Sequence, residues 1–332
     1  MDIENLDVKE NINIVFMGTP EFSVPILEGL ISKYRVRGIV TQPDKAVGRK
    51  QEIRKTPVKL VGEKHTILVV QPEKIREDYG EVLSLKPDLI ITCAYGQILP
   101  RELLVYPKYG CINVHASLLP KLRGGAPIHR AILNGMTKTG VTIMYMSEGM
   151  DEGDMISQRE IEITDTDTAS TLHDKLSLLG RDLLLDTLPS ILDGTATRTP
   201  QDSSQATYGF NIKPEDEKIN FSHTMRQVYN QVRGLNDFPG AYCIYEGKRL
   251  KVWECQESYN TYPQLLDGTI TKIYDNGFGV KVSNGEIIFT VVQPDGKKKM
   301  DAKSYANGQM SHGNFVGKVL SWGVLWKRNK SK

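Results

Sequence analysis

Two polar side chains at alternate positions, Asn113 and His115, are the residues of this sequence best suited to chemistry. Side chains alternate along a β-strand, so in a strand over Cys111–His115 both would point to one face while Ile112 and Val114 point to the other. A Pro- and Gly-rich loop follows directly. Because the carboxyl ends of strands in a doubly wound sheet form ligand crevices, we predict a functional site here; the alternative is a core histidine bonded to backbone carbonyls.

The pair offers hydrogen-bond donors but no nucleophile. An amide and an imidazole side by side suit the stabilisation of the oxyanion in a tetrahedral intermediate. The sequence contains no Gly-x-Ser-x-Gly motif, and no cysteine is adjacent to His115, so a covalent acyl-enzyme has no evident carrier. We therefore predict direct acyl transfer to an external amine.

An acidic loop between glycines follows a second predicted strand, Val141–Met146, and carries Asp151, Glu152 and Asp154. Hard divalent cations take more oxygen ligands than these three carboxylates offer, and no phosphate-binding loop accompanies them, so no metal is expected. A carboxylate beside a histidine instead favours the protonated imidazole and fixes the orientation of the ring. Asp151 is the predicted partner of His115.

The first half of the chain alternates short apolar runs with amphipathic segments, which is typical of parallel strands joined by crossover helices. Apolar residues at helical spacing predict one helix over Glu21–Lys33 and a longer one from Thr168 to about Leu192. The pattern indicates a Rossmann-like, doubly wound and mostly parallel α/β sheet over residues 1–193. The predicted strands are Ile12–Met17, Val36–Thr41, Leu68–Val70, Asp88–Cys93, Cys111–His115 and Val141–Met146.

The second half changes character after residues 194–214, a segment rich in Thr, Ser, Gly and Pro that is predicted to be a linker. A helix near Ser222–Val232 precedes short β-prone runs, and turns such as Asp275-Asn276-Gly277 and Ser283-Asn284-Gly285 separate them. Closure into a barrel removes exposed sheet edges, so we predict a small OB-like β-barrel over residues 215–332. Its predicted strands are Ala241–Tyr245, Leu250–Glu254, Gly268–Ile273, Gly279–Val282, Glu286–Val292 and Gly317–Leu320.

Length and composition narrow the class of protein. With 332 residues, 39% hydrophobic and 25% charged, the chain suits two packed domains. No apolar run reaches the roughly 18 residues of a membrane span, and the first residues are acidic where a targeting peptide would be basic, so a cytoplasmic protein without membrane contact is expected. The four scattered cysteines lack metal-ligand spacing and are expected to be reduced and mostly buried.

Several separate segments together resemble the formyltransferase family that uses 10-formyltetrahydrofolate. The resemblance runs from about residue 12 to residue 326 and so covers nearly all of the chain. The segments that carry it are Asn113-x-His115, Ser117–Pro120, Arg123–Ile128, Met150–Met155, Phe16–Pro20, Thr41–Asp44 with Gly48-Arg49, Ala94–Pro100, Lys251–Trp253 and Leu320–Trp326.

The resemblance implies a reaction and the residues that perform it. The formyl group of 10-formyltetrahydrofolate, a co-substrate used without a metal, would pass to the amino group of initiator methionyl-tRNA. Asn113, His115 and Asp151 would form the catalytic trio, in which the first two hold the oxyanion and Asp151 keeps His115 charged. The implied folate-binding residues are Ser117, Leu118, Leu119, Pro120, Tyr95, Gly96, Ile98 and Leu99.

Basic residues gather in two places that could meet tRNA phosphates. One is the loop Asp44–Lys55, and the other is the C-terminal end, where nine Lys and Arg face two acids from residue 291 onward. A solvated loop and a frayed tail are the alternatives; the resemblance implies RNA contact and gives Arg49 the largest role. The predicted tRNA-binding residues are Arg49, Lys50, Arg54, Lys55, Lys297, Lys298 and Lys299.

Other functions remain compatible with parts of this sequence. The first domain alone would serve a folate-dependent formyltransferase or a formyl-folate hydrolase that acts on a small molecule. A non-catalytic RNA-binding relative is a third possibility, which the intact Asn113, His115 and Asp151 argue against. A monomer is expected.

Overall fold

A computed structural model describes residues 12–47 and 51–321 of the chain. The chain divides into two compact units. One comprises the residues up to 128 together with 138–162 and 172–210, and the other comprises 129–137, 163–171 and the residues from 211 onward. Residues 194–210, predicted to be a linker, are therefore grouped with the first unit.

The first unit contains a seven-stranded sheet and a small hairpin. Its strands are β1 (Ile14–Gly18), β2 (Val36–Val40), β3 (Lys45–Val47), β4 (Glu52–Arg54), β5 (Val69–Val70), β6 (Leu89–Cys93), β7 (Cys111–His115), β8 (Lys138–Tyr145) and β9 (Met155–Glu162). The order in the large sheet is β5-β2-β1-β6-β7-β8-β9. The strands from β5 to β7 pair in parallel, whereas β8 and β9 pair antiparallel. The Rossmann-like, mostly parallel α/β prediction is confirmed.

Helices follow the strands wherever apolar residues recur at helical spacing. They are α1 (Val24–Lys33), α2 (Pro57–Lys64), α3 (Gly80–Ser84), α4 (Arg101–Val105), α5 (Pro127–Leu133) and α6 (Ala169–Leu192). In α1 the buried face is Ile26, Leu27 and Leu30, as the spacing predicts. A single 3-10 turn, Glu21–Ser23, precedes α1 and lies inside the range predicted to be helical.

Two elements of the first unit were not predicted. Strand β9 is an antiparallel strand whose residues alternate between half-buried and exposed, and its charged side chains hid the strand signal in the sequence. The basic segment 44–55, expected to be a loop, contains the antiparallel pair β3 and β4. These strands are only three residues long, which is too short for a periodic pattern to reveal.

The second unit is an antiparallel sheet with two helices. Its elements are α7 (Met225–Gly234), β10 (Ala241–Tyr245), β11 (Lys248–Ser258), β12 (Ile270–Tyr274), β13 (Gly277–Val282), β14 (Gly285–Pro294), β15 (Met300–Asp301) and α8 (Ala302–Met310). In the order β10-β11-β14-β13-β12, three neighbouring pairs are hairpins, whereas β11 pairs with β14 across the intervening β12 and β13. Both predicted turns are two-residue hairpin loops. Helix α8 was not predicted; Asp301 caps it by accepting a hydrogen bond from Ser304 N at 2.8 Å.

A single segment joins the two edges of this sheet. Ser321 exchanges two backbone hydrogen bonds with Ile244 of β10, at 2.9 and 3.0 Å. On its other side the segment bonds residues 268–270, where Ile270 N donates to Lys318 O at 2.8 Å. The predicted strand Gly317–Leu320 is thus a short bridging segment, and through it the sheet closes into a barrel. The barrel interior is apolar and centres on Phe278, which packs edge-on against Phe289 and Phe315.

Candidate active site

Strand β7 carries Asn113 and His115 at its carboxyl end, as predicted. Asn113 is half-buried, and its Oδ1 accepts a hydrogen bond from the Thr92 hydroxyl of β6 at 2.9 Å. Because Thr92 occupies the acceptor atom of the amide, the Nδ2 group of Asn113 is the end that remains to donate. Within residues 12–47 and 51–321, Nδ2 has no hydrogen-bond partner. Asn113 therefore presents an open donor near the carboxyl end of β7.

His115 is buried, with 6% of its surface exposed, and two acceptors surround its ring. Its Nε2 lies 3.0 Å from Leu122 O, which requires Nε2 to be the donor because a carbonyl only accepts. Its Nδ1 lies 3.7 Å from Oδ2 of Asp151. The structure thus brings together the histidine and the carboxylate that were predicted to be partners across 36 residues of sequence.

Asp151 occupies a strained loop between two glycines. Its φ is 51°, a left-handed conformation that few residues other than glycine adopt. Its Oδ2, the oxygen nearest to His115, accepts a hydrogen bond from Gly124 N at 2.8 Å, which fixes the carboxylate. At Gly153 a Cβ atom would lie 1.9 Å from Tyr145 O, so only glycine fits there. The loop brings Asp151 to His115 only because this close approach is possible.

The segment that was predicted to be a linker contributes directly to this site. Thr199 exchanges two backbone hydrogen bonds with Met155, both of 2.9 Å. Further along, Thr207 O accepts from Arg123 N at 2.9 Å and Gly209 N donates to Arg123 O at 2.7 Å. Between these anchors lies Gln201, which bonds Arg123 and the Asp151 loop. The Thr-, Ser- and Pro-rich composition of this segment gave no signal of these non-local contacts.

The residues predicted to bind folate differ in how accessible they are. Gly96 and Ile98 are exposed, and Leu118 and Pro120 are half-buried. The remaining four, Tyr95, Leu99, Ser117 and Leu119, are buried.

The buried residues among those predicted to bind folate contact the protein interior and so hold the loops in place. Tyr95 and Leu99 belong to the apolar core of the first unit. The Ser117 hydroxyl donates to Lys121 O at 2.6 Å, and Leu119 N donates to the Thr142 hydroxyl at 3.1 Å. The Ser117 hydroxyl and the Leu119 amide are thus already bonded within the protein, so we expect direct ligand contact to fall mainly to the accessible members.

Burial also dominates the ionisation of several groups near β6 and β7. Burial raises the pKa of the Tyr95 phenol to about 12, and its hydroxyl has no hydrogen-bond partner among the described residues. Burial likewise raises the pKa of the Cys93 and Cys111 thiols to about 12. All four cysteines are free and buried, as predicted. Thiols of this kind are poor nucleophiles, which agrees with a site that lacks a covalent carrier.

Only two of the four predicted RNA-binding residues of the first unit lie within the described residues. Arg49 and Lys50 lie outside the described residues. Arg54 is exposed on β4, and Lys55 Nζ forms a 2.8 Å ion pair with Glu63.

The predicted RNA-binding lysines of the second unit fall into two kinds. Lys297 and Lys298 are exposed in the turn after β14. Lys299 instead forms a 2.9 Å ion pair with Asp237 and lies 3.8 Å from the centre of the Trp253 ring. Lys299 is exposed as well, but its ammonium group makes these two contacts, whereas Lys297 and Lys298 have no ion pair among the described residues.

Neither a metal-binding cluster nor a membrane-spanning helix occurs in the described parts of the chain. Among residues 12–47 and 51–321, no group of three His, Cys, Asp or Glu side chains could hold a metal ion. Within the same residues, no helix combines the length and apolar character that crossing a membrane requires.

Comparison with protein families matches both halves of the chain. A family model described as formyl transferase matches residues 11–188, and one described as formyl transferase, C-terminal domain, matches residues 211–310. Among individual relatives, methionyl-tRNA formyltransferase from Geobacillus sp. (strain WCH70) is 53% identical over 305 residues, which cover 91% of this chain and 96% of the relative. The enzyme of the same name from Bacillus subtilis (strain 168) is 51% identical over 310 residues, covering 92% and 97%.

Solved structures with this fold are more distant in sequence. An N-formyltransferase from Helicobacter canadensis, in complex with folinic acid and dTDP-3-aminofucose, gives a TM-score of 0.64 at 21% identity and covers 84% of this chain and 99% of its own. HypX from Aquifex aeolicus, in complex with tetrahydrofolic acid, gives 0.61 at 16% identity, with 92% of this chain and 48% of its own covered. At these identities the comparison shows a shared fold.

Proposed function

Because this chain belongs to the formyl transferase family, we propose that it transfers a formyl group from a reduced folate to the free amino group of methionyl-tRNA. The observation that carries the proposal is the approach of the Asp151 carboxylate to His115 at the carboxyl end of β7, two residues after the open amide of Asn113. It occurs in a chain about half identical to methionyl-tRNA formyltransferases over nine-tenths of its length. The donor is 10-formyltetrahydrofolate, and the acceptor is the initiator tRNA.

The reaction is a direct transfer between two nitrogens. The deprotonated α-amine of the methionyl group attacks the formyl carbon, so a new C–N bond forms and the carbonyl oxygen becomes an oxyanion. The Nδ2 group of Asn113 donates to that oxyanion, because it is the open donor of the site. Collapse of the intermediate breaks the bond between the formyl carbon and N10 of the folate, and the proton lost by the amine passes to N10.

His115 and Asp151 support this step from the buried side. The His115 Nε2–H bonds Leu122 O in the structure, so the imidazole contributes to the oxyanion by exchanging that bond for one to the formyl oxygen. The Asp151 carboxylate, whose Oδ2 lies 3.7 Å from Nδ1, holds the orientation of the ring during this exchange. Asp151 also accepts from water, which relays the proton to the departing nitrogen.

The folate lies against the accessible residues of the two predicted loops, Gly96, Ile98, Leu118 and Pro120. Two observations support a folate donor: the match to formyl transferase family models and the reduced folates bound to the neighbours of this fold. Buried Tyr95, Leu99, Ser117 and Leu119 hold these loops in shape. The tRNA is held by Arg54 and Lys55, by Arg49 and Lys50 of the same basic segment, and by Lys297, Lys298 and Lys299 of the barrel.

A formyl-transfer assay tests the proposal. The purified protein is given 10-formyltetrahydrofolate and initiator tRNA charged with labelled methionine, and formylmethionine is measured after deacylation. We expect rapid formylation of the charged tRNA. A nucleotide-linked amino sugar is offered in parallel, together with a measurement of free formate. Three other outcomes would contradict the proposal. Transfer to the sugar alone would favour a small-molecule transferase, and release of formate alone would favour a hydrolase. No turnover at all would favour a non-catalytic relative.

A further inference from the structure

Gln201 connects the two loops that flank the Asp151 carboxylate. Its Nε2 donates to Asp151 O and to Gly153 O, both at 2.8 Å. Its Oε1 accepts from Nε and Nη2 of Arg123, at 3.1 and 2.9 Å. All four bonds of this one amide therefore go either to the Asp151 loop or to the residue before Gly124, whose amide binds the Asp151 carboxylate.

The chemistry of the partners leaves Gln201 a single orientation. A guanidinium only donates hydrogen bonds, and a backbone carbonyl only accepts them. The oxygen of the amide must therefore face Arg123 and its nitrogen must face the two carbonyls, which removes the usual ambiguity between the two ends of a glutamine. Arg123 itself is 2% exposed, so packing holds this reference point in place.

The residue that Gln201 holds is one whose conformation needs support. Asp151 has a φ of 51°, and such a conformation persists in a residue other than glycine only where the surroundings impose it. Gln201 bonds the carbonyl of that residue, while Gly124 N bonds its carboxylate at 2.8 Å. The backbone and the side chain of Asp151 are thus both tied to the Arg123-Gly124 segment, one through Gln201 and one directly.

The distance between His115 and Asp151 is sensitive to this support. At 3.7 Å the two groups are within the distance of an ion pair but beyond the roughly 3.2 Å limit of a hydrogen bond. A loop displacement of under about 1 Å therefore decides whether they bond, and a misplacement of that size can cost an enzyme about 100-fold in rate.

We infer that Gln201, oriented by Arg123, is a positioning residue that sets the distance between the Asp151 carboxylate and the His115 imidazole. The inference rests on the proposed formyl transfer for its effect on turnover. Gln201 does not touch the reacting atoms; it acts through the backbone of the Asp151 loop.

A purely structural role, in which Gln201 only anchors its own segment, is disfavoured by the other contacts of that segment. Thr199 pairs with Met155 two residues before Gln201, and Thr207 and Gly209 pair with Arg123 after it. Backbone hydrogen bonds therefore hold the segment on both sides without Gln201. The two bonds from its Nε2 have no counterpart among them.

Substitution at one position separates the two roles. Gln201→Glu keeps an oxygen for Arg123 and strengthens that contact by charge, but it removes both donors to the Asp151 loop. Gln201→Met removes both halves at similar volume. We expect kcat for methionyl-tRNA formylation to fall about 10- to 100-fold in both variants, with KM for folate and tRNA within about twofold. If Gln201 served only to anchor its own segment through Arg123, Gln201→Glu would retain wild-type turnover and the inference would fail.

Two additions keep the test decisive. Gln205 is exposed in the same segment, and among the described residues its side chain bonds only Asp202, at 2.9 Å. Gln205→Glu is therefore the matched control and should retain wild-type kinetics. Hydrogen exchange of the Gly124 amide, which binds the Asp151 carboxylate, should speed up about tenfold in Gln201→Glu but not in Gln205→Glu. This readout needs no substrate, so it decides the inference even if the wild-type protein formylates nothing. Unchanged Gly124 exchange in Gln201→Glu overturns the inference.

Discussion

At the scale of single residues, Asn113 is the side chain whose removal should affect chemistry with the least disturbance of the fold. It is half-buried, and its amide donor is open. We expect Asn113→Ala to lower kcat by about 10²- to 10³-fold, the usual effect of losing one oxyanion donor. Folate affinity, measured by fluorescence titration, should stay within about twofold. A variant that turns over at the wild-type rate would remove Asn113 from the proposed mechanism.

Gly153 lies where the Asp151 loop leaves no room for a side chain. An added Cβ would lie 1.9 Å from Tyr145 O, a backbone atom that cannot rotate away. We expect Gly153→Ala to displace the Asp151 loop and lower kcat at least about tenfold, while the sheet core remains folded. Gly296→Ala is a control on the barrel, because its Cβ would meet nothing within 4 Å, although its φ of 70° adds some local strain. Circular dichroism and steady-state kinetics compare the two; equal, wild-type kcat values would contradict the prediction.

At the scale of elements, one buried carboxylate ties several strands of the barrel together. Glu286 on β14 is fully buried. Its oxygens accept from four side-chain donors on β11, β12 and the segment between them: Ser258 at 2.8 Å, Tyr274 at 2.8 Å, Asn260 at 3.2 Å and Thr271 through a short bond. Every donor points at the same side chain, so no other group can replace it without leaving donors unpaired.

We expect Glu286→Gln to lower the free energy of unfolding of the barrel by about 2 kcal/mol, because a Gln amide directs its own donor hydrogens at groups that need an acceptor. The exposed Glu254→Gln on β11 should change it by under about 0.5 kcal/mol. All three tryptophans, at 253, 322 and 326, lie in the C-terminal part of the sequence, and Trp253 on β11 is buried, so its fluorescence in a urea titration reports the unfolding of the barrel. If the urea unfolding curves of Glu286→Gln and Glu254→Gln coincided, the Glu286 carboxylate would not have the proposed role in holding the strands together.

At the scale of the whole molecule, the net charge of +2 conceals a basic C-terminal part, and this distribution sets the expected salt dependence of tRNA binding. Each phosphate contact contributes a slope of roughly −0.7 to −0.9 in a plot of log K against log salt. We expect Lys297→Ser with Lys298→Ser to make the slope shallower by about 1 to 2. Lys138→Ser, which removes a lysine paired with Glu160 at 2.7 Å, is the control. Binding titrations between about 50 and 200 mM salt measure it; an unchanged slope in the double variant would exclude both lysines.

Much of the architecture was predictable because it is encoded locally. Apolar residues at a period of two or near 3.6 indicate strands and helices from a few neighbours, and β7 and β10 have the predicted bounds. The same alternation placed Asn113 and His115 on one face of a strand end. Where the local signal was weak, as in the charged strand β9 and the short hairpin of β3 and β4, the strands were not predicted from the sequence.

The sequence by itself therefore determined the fold class, the two-part organisation, the polar pair on β7 and, through motif resemblance, the family. Tertiary structure alone decided that Asp151 stands 3.7 Å from His115, that Gln201 reaches back 50 residues to hold the Asp151 loop, and that Tyr95 and Leu99 belong to the core. The physical reason is that a residue's own neighbours set its backbone preference, whereas distances between side chains far apart in sequence depend on how the sheet pairs and which loops can approach closely.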